Sequence, residues 1–132
     1  MKELVVDAKI ENLEQVLDFV NLELEAAECP MKTQVQMDIT VEEIFVNIAH
    51  YAYQGGVGKA VVRIHVHDTV DIIFMDQGIP YNPLEKEDPD ITLSAEDRPI
   101  GGLGIYMVKK SMDDVSYEYK DGQNILRIQK HI

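Results

Sequence analysis

A chain of 132 residues, 45% hydrophobic and 27% charged, is long enough to bury one core and reads as a single globular domain over residues 1–132. Its 24 acidic against 12 basic side chains, a formal charge of −12, argue against direct binding of DNA or RNA, which needs a basic surface. No run of about eighteen apolar residues offers a membrane span; the acidic opening segment and the single Cys29, which cannot close an internal disulfide, point to a reducing cytoplasm.

Residues 3–10 read as an opening strand. Asn12 is placed to cap a helix whose Leu13, Val16, Leu17, Val20 and Leu24 recur at helical spacing, and Pro30 ends or interrupts it. A second helix spans about residues 32–53 and stops at Gln54, Gly55 and Gly56. Residues 59–67 then alternate, with Val62, Ile64 and Val66 on one face and Val61, Arg63, His65 and His67 on the other. Asp68 and Thr69 make a turn, and residues 70–75 return as a mostly apolar strand. Residues 76–100 hold four of the five prolines and many acids, the signature of an ordered turn followed by a mobile loop. Gly101, Gly102, Leu103 and Gly104 open a third helix running to about Met112. A last hairpin, residues 115–120 and 125–130, turns at Asp121 and Gly122. This order predicts an α+β two-layer sandwich, with helices on one face of a mostly antiparallel, mixed sheet.

Three features could carry chemistry. Glu43 and Asn47, four residues apart, share one face of the second helix, flanked by His50 and Tyr51, while Val41, Ile44, Phe45, Ile48 and Ala52 face the sheet. The amide oxygen of Asn47 can ligate a hard cation, and the Glu43 carboxylate can orient or deprotonate a nucleophile. Taken alone, the pair fits a plain solvated helix face as well. Asp76, Gln77, Gly78, Ile79 and Pro80 follow an apolar strand. A carboxylate at a strand end can accept from an amino group, and a glycine there permits close ligand approach. The same residues also spell an ordinary turn. The glycines at 101, 102 and 104 let backbone N–H groups approach phosphates at a helix start, although neither a Walker loop nor a full dinucleotide fingerprint is present. His65 and His67 share a strand face and read as solvent-facing rather than as metal ligands.

In this order and spacing the three features resemble the GHKL ATPase superfamily, with its histidine-kinase-like ATP-binding (Bergerat) fold. Within it the likeness is to the small anti-sigma-factor serine/threonine kinases of bacteria, over nearly the whole chain to Asn124, Ile125, Leu126, Arg127 and Ile128. The resemblance implies ATP and Mg²⁺ as cofactors. It assigns Glu43 as general base, Asn47 as magnesium ligand, and Asp76 with Gly78 to the adenine. Residues 83–100 become an ATP lid, with Arg98 in reach of the γ-phosphate or a partner. The backbone of Gly101, Gly102, Leu103 and Gly104 meets the phosphates. The implied activity is phosphorylation of an anti-sigma-factor antagonist and sequestration of a sigma factor, with a homodimer as the implied assembly. A nucleotide-dependent binding module without kinase activity is the alternative. Two departures stand out: Tyr51 where many relatives place a histidine, and Gly122, Gln123 and Asn124 without the threonine that supplies one adenine contact.

Overall fold

Five strands form one sheet in the order β1-β2-β3-β5-β4 in the computed structural model, which describes residues 1–85 and 103–132. The strands are Lys2–Asp7 (β1), Lys59–Val66 (β2), Thr69–Asp76 (β3), Asp114–Lys120 (β4) and Gln123–His131 (β5). All four pairings are antiparallel, so the parallel component of the expected mixed sheet is absent among the described residues. Alternation sets the register. Val62, Ile64, Val70, Ile72, Phe74, Leu126 and Ile128 point to one face and are buried, while Arg63, His65 and Arg127 point to the other and are exposed.

Helices Leu13–Ala26 (α1), Met31–Tyr51 (α2) and Leu103–Ser111 (α3) complete the described elements. Helical spacing buries Val16, Val20 and Leu24 of α1, and Met37, Val41, Ile44 and Phe45 of α2, in one core with the inward strand residues. Asn12 does not cap α1 with its side chain. A short 3₁₀ turn, Ile10–Asn12, precedes the helix, and the Asn12 amide instead donates to the Asp7 carbonyl at 2.9 Å. Pro30 lies beyond the end of α1 and leads into α2. The closing hairpin turns at Asp121 (φ 54°) and Gly122 (φ 77°), the left-handed pair that a tight two-residue hairpin turn requires. Among the described residues no helix is long and apolar enough to cross a membrane.

Candidate functional site

The inward phase of β3 is apolar until the strand's last residue. The pleat that buries Val70, Ile72 and Phe74 carries Asp76 to the same inward face, where it pairs with Asn124 of β5 and Ala60 of β2. Asp76 is only 6% exposed. Its Oδ1 accepts from Asn124 Nδ2 and from the backbone N–H of Gly78, each at 2.9 Å. Burial pushes its carboxyl above the usual carboxylate range; the Asn124 and Gly78 donors pull the other way but do not win. No ion pair among the described residues involves Asp76.

The turn that follows is fixed to the end of α2. The Ala52 carbonyl accepts from Ile79 N–H at 2.9 Å, and a Cβ on Gly78 would lie 2.1 Å from that carbonyl oxygen. Only glycine lets the two backbones approach so closely. Tyr53 adds a second tie, its hydroxyl accepting from Gln77 N–H and donating to the Lys59 carbonyl.

Glu43 and Asn47 lie together on α2. Asn47 Nδ2 donates to Glu43 Oε1 at 3.3 Å, which leaves the amide oxygen of Asn47 as a donor atom for a hard cation. The Glu43 carboxylate lies against the first turn of α3, where a Cβ on Gly104 would come within 2.1 Å of it. A helix start, whose first N–H groups have no intrahelical partner, is suited to negative charge. Among the described residues no cluster of three or more His, Cys, Asp or Glu side chains is arranged for a metal ion.

Between α2 and the sheet lies a cavity of about 460 Å³, its open mouth included. Its walls are apolar, from Ile44, Ile48, Phe74, Ile105 and Leu126, and its polar groups come from Asn47, Asp76 and Asn124. Tyr51 and Tyr81 lie at one side with ring centroids 5.7 Å apart, so the residue in the expected histidine's place contributes an aromatic wall instead. An apolar slot with a few fixed polar groups is the usual form of a small-molecule site.

The structure therefore brings together Asn47 and Asp76 around one cavity, with Gly78 supporting the corner and Glu43 and Gly104 meeting beside Asn47. Leu103 begins α3. Of the expected lid, Pro83–Glu85 form a 3₁₀ turn with Pro83 in the cavity wall; its remainder, with Arg98, Gly101 and Gly102, lies outside the described residues. His65 and His67 are exposed on β2 and beside it, away from the cavity. Sequence reasoning missed Asn124, Tyr117 and Tyr81. The signal for Asn124 was available: it shares the inward phase of β5 with Leu126 and Ile128, where a carboxamide needs a reason.

Comparison with known proteins places the chain in a family. A family described as histidine kinase-like ATPase domain matches residues 6–130. Serine-protein kinase RsbW of Bacillus cereus (strain AH187) is 30% identical over 95 residues, 68% of this chain and 59% of that protein. Serine-protein kinase RsbW of Bacillus mycoides (strain KBAB4) matches to the same extent. The chain thus spans 59% of the length of these relatives. A crystal structure of the RsbU and RsbW domains of a Mycobacterium tuberculosis protein superposes with a TM-score of 0.64 at 12% identity. That superposition covers 99% of this chain and 32% of the other, a likeness of fold. With the match running from residue 6 to residue 130, the chain belongs to the histidine kinase-like ATPase domain family.

Proposed function

We propose that this chain binds Mg·ATP in the cavity and transfers the γ-phosphoryl group to a serine or threonine hydroxyl of a partner protein. The observation that carries the reading is Asp76: a buried carboxylate, without an ion pair among the described residues, in the wall of an apolar slot. Such a group penalises the fold unless it serves a ligand, and an adenine amino group is the donor it lacks. The apolar walls would pack against the base, and Asn47 Oδ1 would be the protein oxygen that holds magnesium. Magnesium, when bound, neutralises charge as the bond to the leaving diphosphate breaks. Glu43 accepts the proton of the incoming hydroxyl as its oxygen bonds to phosphorus and ADP departs. The α3 start and the backbone of residues 101–104 stabilise the transferred group.

By the sequence's resemblance to the anti-sigma-factor serine/threonine kinases, the substrate would be an anti-sigma-factor antagonist, and the second partner a sigma factor held inactive. A homodimer belongs to the same proposal. The sheet face turned away from the core carries Val5, Val61, Met75 and Ile125 in one cross-strand row, of which Val5 is exposed, Val61 and Ile125 are half-buried and Met75 is buried.

Incubation with γ-labelled ATP and a candidate antagonist tests the reaction. Glu43→Ala should keep nucleotide affinity and cut transfer by about two to four orders of magnitude. Asn47→Ala should lose Mg-dependent binding itself. Equal loss of binding in both variants contradicts the assigned roles. Tight ATP binding with a partner that is captured but never labelled reduces the protein to a nucleotide-dependent binding module.

A further inference from the structure

The carboxamide of Asn124 has no hydrogen-bonding capacity left over. Its Nδ2 donates to Asp76 Oδ1 at 2.9 Å and to the Ile79 carbonyl at 2.8 Å. Its Oδ1 accepts from Tyr81 N–H at 3.0 Å and from the Tyr117 hydroxyl. The partners also fix which way round the amide sits, because the Ile79 carbonyl can only accept and the Tyr81 N–H can only donate. Asn124 therefore ties together three segments: the end of β3, the turn after it, and β4. Although it lines the cavity, it has nothing free to offer a ligand.

Its effect falls on Asp76. Oδ1 of that carboxylate is occupied by Asn124 and Gly78, while Oδ2 has no partner among the described residues. We infer that Asn124 is a positioning residue for base selection, holding Asp76 so that one carboxylate oxygen alone is presented to the nucleobase. This deepens the ATP-binding reading and rests on it. One acceptor matches the single amino donor on the Watson–Crick edge of adenine. Guanine offers two neighbouring donors there, N1–H and the 2-amino group, and satisfying both on one carboxylate takes both of its oxygens. With Oδ1 consumed, that bidentate grip is closed, and the Asn124 amide and Gly78 N–H, already engaged, offer guanine O6 no donor. Selectivity for adenine thus depends on a side chain that does not touch the base.

The groups around Asp76 leave its charge to these contacts. Asn47 of α2 lines the same cavity, and Tyr53 follows that helix. Tyr117 faces the corner from β4, and Glu85 lies beyond Tyr117. Burial pushes both phenols above their usual range, so they stay neutral throughout the window below.

Asn124→Leu removes every bond of the amide but orphans three partners and risks the fold. Asn124→Asp is nearly isosteric and keeps the acceptor for Tyr81 and Tyr117. It replaces the NH₂ facing Asp76 with a second carboxyl oxygen. Two carboxyls so placed share one proton: protonated, the contact is remade; ionised, they repel.

Binding of ADP and GDP is measured from about pH 6 to pH 8.5 for wild type and N124D, together with the titration of the Asp76 carboxyl by NMR in the ligand-free proteins. The wild type should prefer ADP strongly and hold its affinity as the pH rises. N124D should lose at least about tenfold in ADP affinity at the alkaline end and regain it on acidification, and its ADP-over-GDP preference should narrow by about tenfold. Asp76 should titrate at higher pH in N124D than in the wild type. An N124D protein with wild-type selectivity and pH profile overturns the positioning role. If the wild type binds no ADP, the nucleotide reading falls. The carboxyl titration then still decides whether Asn124 controls Asp76, an unchanged Asp76 titration counting against it.

Discussion

Asp76 is held against a stability cost. Its carboxyl is raised by burial, so its contribution to folding is fully present below the unfolded carboxylate value and is lost as pH rises through the folded one. At neutral pH the ionised side chain works against the fold. Asp71, on the opposite phase of the same strand, behaves in the reverse sense. Burial raises its carboxyl, but donors from Arg127, Gln129 and Thr69 together outweigh burial and leave it below the usual range. Asp71 thus supports the fold above the usual carboxylate range and loses that role on acidification. On the proposed function, the contrast separates a structural carboxylate from one kept for a ligand. Asp76→Asn, which keeps an oxygen for the Asn124 and Gly78 donors, should unfold at an equal or higher temperature than wild type at pH 7. The difference should vanish at acid pH, where Asp76 is already protonated. The same variant should lose about a hundredfold or more in ATP affinity by calorimetry. A variant that is less stable and still binds ATP would place the role of Asp76 in the fold instead.

Among the elements, the two helix ends nearest the chemistry and farthest from it make different demands. At the start of α3, a methyl on Gly104 would fall 2.1 Å from the Glu43 carboxylate. Because the obstacle is the tip of a flexible side chain, Gly104→Ala should fold normally while displacing Glu43. Phosphoryl transfer should drop by about a hundredfold, the scale of a 1 Å misplacement, with the melting temperature little changed. At the end of α1 the chain closes with paired bonds, Cys29 N–H to the Leu24 carbonyl and Glu28 N–H to the Glu25 carbonyl. Glu28 takes the left-handed position at φ 57° that glycine usually fills. Glu28→Gly should stabilise the protein by about 1 kcal/mol in thermal unfolding and leave nucleotide binding untouched. The helices and hairpins were legible in the sequence because period and punctuation agree: Val16, Val20 and Leu24 at helical spacing, Val62 and Ile64 alternating, Asp121 and Gly122 at a turn. The Asn12 cap failed because the 3₁₀ turn turns its amide back to Asp7, a choice set by the β1 exit rather than by local preference. Asp76, Asn47, Glu43 and the glycines could be picked out as candidates from residue type and spacing. Asn124 could not be linked to Asp76 that way, since the bond joins residues 48 apart and exists only through the β3–β5 register.

For the molecule as a whole, the charge of −12 and the cavity divide the work of recognition. An acidic chain attracts no polyanion by its overall field, so a nucleotide must be held by a cation, backbone N–H groups and an apolar slot. The most direct test of that account is thermal unfolding with and without Mg·ATP, in wild type and in Asn47→Ala. Ligand at about a hundred times its dissociation constant adds roughly 2.7 kcal/mol, a rise of about ten degrees for a domain of this size. The expected result is such a rise in the wild type, dependent on magnesium and absent in the variant. A wild type whose melting temperature does not move with Mg·ATP would contradict the nucleotide site itself.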